Sequence, residues 1–600
     1  MPLQIAVLVK QVPRFESMEL GADGRLVREG LELELNPYCR RAVSQGVALA
    51  AATGGTCTVL TLGPPAAEDC LREAIAWGAT RGVLITDPAF AGSDTLATSR
   101  ALAAALRTLS AVDLVLTGRN SVDADTAQVP AQIAELLGLP FLGGVRELRL
   151  SDDGGTLKLR CEHDDGWMRA EAPLPALLSC AERLIEPAKV DPQGRAAVSP
   201  ALITRLRAAD LGPGPWGQEG SPTRVGEVRS LAVERLGVVL AGDLDTQVRR
   251  AVDLMLESGA LAAGAEDPPP PVAASSGSEA GPVVAVVVEP DRRRATRELL
   301  GAAARIAAQL GGRVVALGPG GLDAAEAGSW GADAVVDLEG APVEEDVAGA
   351  VAGWVAEARP SVMLLGSTMW GREVGSRVAA RTSSGLVGDA VDLGVRGGRL
   401  VCWKPAFGGG MVAAVTSSSE LQMATVRPGV LPLPAGRAAV ADTSRRTGEP
   451  ASSVRVLERG RDDDVDALAA ARTVVVVGAG VPPESYPAFR PLLDLLGGEM
   501  AATRKVTDRG WMPRARQVGI TGRAVAPTLA IEVATSGKFN HTIGTRAAGF
   551  VLAVNSDPGA LVFGAADAGI VGDWSEVLPR LTAAIAERVA AGAGAPPTRS

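Results

Sequence analysis

Short apolar runs bounded by Gly, Pro, Ser or Asp alternate along this chain with stretches whose apolar positions return every three or four residues. The first pattern predicts buried strands and the second amphipathic helices. Ile5–Val9 is a buried strand by this criterion, left through the loop Lys10-Gln11-Val12-Pro13. Leu35-Asn36-Pro37-Tyr38-Cys39 precedes a helix over Arg40–Ala51 that gathers Ala42, Val43, Val47 and Ala48 on one side. Strands are predicted at Cys57–Leu62, Gly82–Ile85 and Asp113–Thr117, with helices at Ala66–Trp77 and Leu96–Leu109 between them. Such alternation implies right-handed βαβ units and a mostly parallel sheet.

The plan is used more than once. Trp77-Gly78-Ala79 precedes the strand at Gly82, and Trp330-Gly331-Ala332 precedes one at Ala334–Val336. Asp113–Gly118 recurs as Ser361–Gly366, again before a polar loop and a helix, so a pseudo-symmetric pair is expected. Val283–Val288 restarts the pattern, and Thr473–Val477, Leu529–Val533, Phe550–Val554 and Ile570–Val571 supply a third set of strands. Between the sets, helices are predicted over Pro200–Ala209 and Asp245–Ser258. Gly264–Gly281, with four consecutive prolines and Ala-Ala-Ser-Ser-Gly-Ser, has the composition of a flexible tether. The stretch 436–470, rich in Arg and Asp, has that of a solvated hinge. The expected division is 1–225, an arm and linker over 226–282, 283–440 and 441–600.

Composition narrows the class. At 600 residues the chain exceeds one core, and 47% hydrophobic, 21% charged and 3% aromatic residues suit α/β layers of Val, Leu and Ala. A net charge of −10 without basic runs gives nothing for nucleic acid to bind. Six cysteines without C-x-x-C or Cys/His spacing are expected as reduced thiols rather than metal or cluster ligands. No apolar run is long enough to span a bilayer, and the N-terminus enters a strand at once, so a cytoplasmic protein not embedded in a membrane is expected. With two histidines, a Ser/His/Asp or Cys/His constellation is not assembled easily.

The candidate chemistry is concentrated late, from Glu499 to Trp574. Polar loops there carry Thr503-Arg504, Gln517-Val518-Gly519-Ile520-Thr521-Gly522, Ser536-Gly537, Asn540-His541, Asn555 and Asp573. Gathered at one edge of a parallel sheet, they offer donors for a diphosphate or a flavin ring. Ordinary βα loops and helix caps also use Gly, Ser and Thr. His541 as a satisfied core histidine and Arg504 as a surface ion pair are the plain alternatives. Gly478-Ala479-Gly480 is a weak dinucleotide signal, because Pro482-Pro483 follow and no third glycine arrives. In the first half, Gly118–Val129 lies at a strand's mouth before a helix, where a phosphate is favoured. Asp123 and Asp125 could equally be N-caps there.

The order Thr-Arg, Gln-Val-Gly-x-Thr-Gly, Ser-Gly-x-x-x-His, Val-Asn-x-Asp-Pro and Asp-x-Gly-Ile-Val-x-Asp resembles the FAD-binding domain of the electron transfer flavoprotein α subunit. Thr425–Val430 resembles the end of that subunit's first domain. Residues 1 to about 190 resemble the β subunit, through Lys10–Pro13, Asn36–Cys39, Asp123–Ala134 and Ala181–Pro187. The resemblance implies two subunits fused in one chain. The fold would be a pseudo-symmetric pair of doubly wound, Rossmann-like, adenine-nucleotide-binding domains plus a C-terminal FAD-binding α/β domain.

It further implies that Thr503, Arg504, Gln517, Val518, Gly519, Thr521, Gly522, Ser536, Gly537, Asn540, His541, Asn555 and Asp573 bind FAD. Arg504, His541 and Thr521 would tune the flavin. Leu8, Asn36, Cys39, Leu62, Asp123, Asp125, Thr126, Ala127, Gln128 and Val129 would hold AMP or a second FAD. Asp87–Thr95 and Asp125–Val129 look more like the electron-bifurcating branch of the family. The implied function is an electron carrier between a dehydrogenase and a quinone-linked or other oxidoreductase. A bifurcating NADH oxidoreductase and a flavin-free adenine-nucleotide-binding interaction module are the alternatives. Ala479, Ile520 and Lys538-Phe539-Asn540 depart from the family pattern. No Lys-rich segment follows Pro187, which implies a partner other than the usual acyl-CoA dehydrogenases.

Overall fold

The computed structural model describes residues 2–14, 32–187, 190–230, 235–262, 269–273, 281–406, 411–448, 450–461, 465–519, 522–542 and 544–592. The described chain forms two compact units, the first from 2–230, 269–406 and 411–460, the second from 235–262 and 461–592.

Two parallel sheets build the first unit. One runs in the order Ile203–Leu206, Arg81–Ile85, Thr56–Leu62, Gln4–Leu8, Leu114–Gly118, Ala176–Cys180 and Phe141–Leu150. Each of these pairings is parallel. Thr156–Glu162 and Gly166–Pro173 extend it antiparallel, and Arg455–Arg461 forms the far edge. Gly-poor apolar runs become central strands because both faces are covered: Ile5 and Val7 enter one core, Ala6 and Leu8 the other. The second sheet repeats the plan in the order Gly385–Ala390, Gln422–Val426, Val362–Gly366, Val283–Val287, Arg313–Gly318, Ala334–Glu339 and Asp442–Thr447, again parallel throughout. The pseudo-symmetric pair expected from the internal echo is present.

Each half also lends a strand to the other. Thr223–Ser230 pairs antiparallel with Met411–Ser417, in a four-stranded sheet completed by Arg399–Ala406 and Asp392–Arg396. Arg455–Arg461 travels the opposite way, into the first sheet.

The second unit is one parallel sheet in the order Val238–Val239, Ala568–Val571, Phe550–Asn555, Leu529–Val533, Thr473–Val477 and Glu499–Ala502. The helix expected over Asp245–Ser258 spans Leu244–Glu257, capped by Asp243, whose carboxylate accepts from Thr246 N–H. Its stripe of Val248, Ala251, Val252 and Met255 packs into the core shared with Val577, Leu581 and Ile585 of the helix Trp574–Gly592.

Three expectations are corrected. Pro200–Ala209 is not a helix: after a turn at Pro200–Leu202, Ile203–Leu206 is an edge strand parallel to Arg81–Ile85. Ile203 and Leu206 dock on opposite cores, the period-two pattern of a strand, and β-branched Ile203 and Thr204 favour it. The hinge over 436–470 is largely two edge strands, Asp442–Thr447 and Arg455–Arg461. Their charges belong to the sheet margins, where Arg445 meets Glu339 and Arg446 meets Glu357 at 2.8 Å each, and charged edges discourage further strand pairing. Asp462, Asp463 and Asp464 lie outside the described residues. Of the tether, the described part is docked: the Pro270 carbonyl accepts from Ala435 N–H at 2.8 Å, and Val272 and Ala273 pack on a core. All six cysteines are buried and unpaired, and no helix among the described residues is long and apolar enough to cross a membrane.

Candidate functional site

In the second unit the strand order reverses at Thr473–Val477. The chain goes to Glu499–Ala502 on one side, then to Leu529–Val533 on the other. Loops leaving the carboxyl ends diverge at such a point and leave a crevice. Gly478 is required by close packing, since a Cβ there would stand 2.0 Å from the Ala534 carbonyl. Ala534 itself holds a left-handed φ of 52°, a sharp exit from its strand. Gly537 combines φ 69° with a Cβ position 1.9 Å from Val562 N, so only glycine fits. Ser536 and Lys538 on either side of it are exposed. Asn555 ties neighbouring loops, its amide donating to the Thr535 carbonyl at 2.8 Å and its oxygen accepting from Asp557 N–H at 2.9 Å. At the start of the helix Trp574–Gly592, Asp573 accepts from the Ser575 hydroxyl and, at 2.9 Å, from Ser575 N–H, which together hold its carboxyl below the usual range.

The other rim begins where Thr503 N–H donates to the Val477 carbonyl at 3.0 Å. Arg504 opens the short helix Arg504–Asp508 and pairs through Nε with Asp508 at 3.1 Å; its side chain is 38% exposed. Val518 joins this rim to His541. Its N–H donates to the Ala502 carbonyl at 2.9 Å, and its own carbonyl accepts from His541 Nδ1 at 3.1 Å. His541 Nε2 lies 2.6 Å from Glu532 Oε2. Burial pulls the imidazole down, but the Glu532 carboxylate and the Val518 carbonyl more than offset it, and the pKa ends above the ordinary value. Gln517 turns inward, fully buried, and accepts from the Thr507 hydroxyl at 2.7 Å. Gly519 holds φ 136°, and Gly522 N–H donates to the Gly519 carbonyl at 3.0 Å. Thr521 lies outside the described residues, and only the backbone of Asn540 is described, in the helix Phe539–Thr542.

A second strand reversal lies at Gln4–Leu8. Lys10 Nζ bonds both Asp123 oxygens, at 2.8 and 2.7 Å. Burial raises the Asp123 carboxyl, Lys10 outweighs it, and the group stays ionised below its ordinary range. Asn36 donates to the Asn120 carbonyl at 2.8 Å, and the Asn120 side chain accepts from Ala127 N–H at 3.2 Å. Asp125 and Ala127 sit at φ 48° and 53°. Burial raises the Asp125 carboxyl despite Arg372. Neither aspartate is an N-cap, because the helix Val129–Leu137 has no side-chain cap. Gln128 accepts from Thr95 at 2.6 Å and donates to the Leu386 carbonyl at 3.1 Å. Lys404 Nζ donates to the Ala124 carbonyl at 2.6 Å. Leu8 and Cys39 are buried, while Leu62, Thr126 and Val129 are half-buried.

The electron transfer flavoprotein domain matches residues 23–201 and again 278–449, and the electron transfer flavoprotein FAD-binding domain matches 467–546. The chain belongs to the electron transfer flavoprotein family. It is 33% identical over 309 residues to Protein FixB of Clostridium saccharobutylicum, covering 49% of this chain and 92% of that protein. It is 36% identical over 243 residues to the electron transfer flavoprotein subunit beta of Clostridium acetobutylicum, covering 40% and 92%. The caffeyl-CoA reductase-Etf complex subunit CarD of Acetobacterium woodii is 37% identical over 227 residues, 37% of this chain and 86% of CarD. Two subunits of this flavoprotein family are therefore fused here.

The second-unit crevice fits FAD chemically. Around this strand reversal Thr503, Arg504, Ser536, Lys538 and Asn555, none of them fully buried, bring hydroxyl, amide and cationic donors for an anionic diphosphate and a polar ring. The sequence reading missed Glu532. The signal was present, since a carboxylate inside Leu529–Val533, a strand buried at every position, has no packing reason to be there. It also missed Arg372 and Lys404, which reach the Asp125 loop from more than two hundred residues away.

Proposed function

We propose that this flavoprotein carries electrons between a dehydrogenase and an electron-accepting oxidoreductase, quinone-linked or of another kind, by means of FAD held at the carboxyl edge of the second unit. When bound, FAD supplies the redox chemistry. The protein supplies grip, orientation and electrostatics. Ser536, Gly537, Asn555 and Asp573 are assigned to the ribityl, diphosphate and adenosine portions. Thr503, Arg504, Val518, Gly519, Gly522 and His541 are assigned to the ring, with Gln517 supporting that loop from inside. In the first half, the Asp123–Val129 loop is assigned to AMP, with a second FAD as the bifurcating variant.

The observation that carries this reading is the meeting of the Arg504 rim and the His541 helix at Val518, beside a strand reversal in the stretch that matches the FAD-binding domain. A cation near the edge where a reduced flavin gathers negative charge favours the reduced form. Acid extraction of purified protein, followed by nucleotide analysis, tests it. One FAD with one AMP per chain supports the carrier, and two FAD without AMP supports the bifurcating variant. A folded, colourless, FAD-free protein refutes both and leaves a nucleotide-binding interaction module.

A further inference from the structure

We propose that Glu532 is a positioning residue of the flavin site, locking His541 so that both its ring N–H groups are spent on the protein and the histidine acts through a fixed dipole. This inference rests on the FAD reading above. A carbonyl oxygen only accepts, so His541 Nδ1, 3.1 Å from the Val518 carbonyl, must carry a proton. The remaining ring nitrogen faces a carboxylate oxygen at 2.6 Å, the length of a charge-assisted bond. One proton therefore sits between Nε2 and Oε2, and no ring nitrogen is left to bond a flavin oxygen. The other Glu532 oxygen accepts from Thr545 Oγ1 at 2.9 Å, which fixes the carboxylate's rotation. Glu532 is 1% exposed, and its register neighbours on the flanking strands are Val476 and Ala553, neither of which offers a side-chain hydrogen bond. A buried carboxylate in such a strand is tolerable only because His541 and Thr545 satisfy it. The pair is neutral overall, with its positive end on the imidazole.

The chain has two histidines, so the ring nitrogens are readily separated by NMR of 15N-labelled protein, with His541→Asn as the assignment control. The wild type, flavin-free and flavin-loaded, should show His541 protonated at both nitrogens from pH 6 to 8. Glu532→Gln should convert it to a one-proton ring over that range while FAD stays bound. It should also weaken the preference for the reduced flavin about tenfold, a fall of about 30 mV in a two-electron potential. Thr545→Val, which leaves both charged partners in place, should move both readouts the same way by less. A bare ring nitrogen in the wild type at pH 7 overturns the proposal. So does a Glu532→Gln protein whose ring is altered but whose potential is not, or one that only melts earlier. If the protein holds no FAD, the cofactor reading fails, whereas the ring spectra still decide the Glu532 pairing.

Discussion

Replacing Arg235 by Ala should unfasten the arm that residues 235–262 lay on the second unit. Arg235 is 8% exposed in its side chain and pairs with Asp567, 9% exposed, at 2.7 Å. Its other terminal nitrogen donates to the Arg546 and Ala548 carbonyls, at 2.8 Å each. Asp567 in turn accepts from Val551 N–H at 2.8 Å, so its carboxylate stays in place when the arginine goes. Removing one partner of a buried pair strands the other charge, at a cost of about 3–5 kcal/mol. The Arg546 and Ala548 carbonyls lose this donor as well, and Ala548 is buried, so their loss adds to the cost. At ~2–4 °C per kcal/mol for a unit of this size, the melting transition of the second unit should fall by roughly 6–20 °C. Calorimetry of the full chain, with limited proteolysis of the arm, measures this. Arg235→Met with Asp567→Asn removes both charges and should recover much of the loss. A single mutant costing less than about 1 kcal/mol, or a double mutant no better than the single, would refute the stranded-charge argument.

Gly537→Ala should destabilise the second unit by about 2–4 kcal/mol, from a left-handed φ and a backbone clash at Val562, and should shed FAD; urea unfolding and flavin retention check it. Burial raises the Glu373 carboxyl against the pull of Arg377, and with crowding from Glu344 it ends at about 8. The unfolded carboxyl releases its proton near about 4.3, so across that window the native chain holds more protons and stability declines as pH rises. Glu373→Gln should flatten the first unit's melting temperature between pH 5 and 8. Lys10→Met should cost less than about 1 kcal/mol of stability, since that lysine is half-exposed, yet deplete the nucleotide extracted from the first half. Arg504→Ala should lower the flavin potential by tens of millivolts, roughly tenfold per 30 mV, in a spectroelectrochemical titration.

Much of this architecture was legible because parallel strands covered on both faces are written as uninterrupted apolar runs. Thr473–Val477 and Leu529–Val533 have the predicted bounds, and Gln4–Leu8 differs by one residue at each end. Edge strands were not legible. Ile203–Leu206 imitates a helical spacing, and Asp442–Thr447 and Arg455–Arg461 carry the charges of a loop because their outer margins meet water. The crevice loops could be named from their motifs, but not how they close. That Gln517 faces inward and that Asn120 rather than an aspartate organises the Asp125 turn depends on contacts no local pattern encodes. Glu532 was visible as a charge in an apolar strand, and only the fold reveals that its partner is His541.

The arm also sets an order of events during synthesis. Val238–Val239 pairs with Ala568–Val571, a strand that leaves the ribosome roughly 330 residues later, about 15–65 s at ordinary translation rates. Throughout that interval the stripe of Val248, Val252 and Met255 has nothing to cover it, while the first sheet can already close around Gln4–Leu8. A nascent chain paused anywhere before Ala568 is thus a sticky, half-finished object, and slowing translation over 470–570 should raise its demand for chaperones.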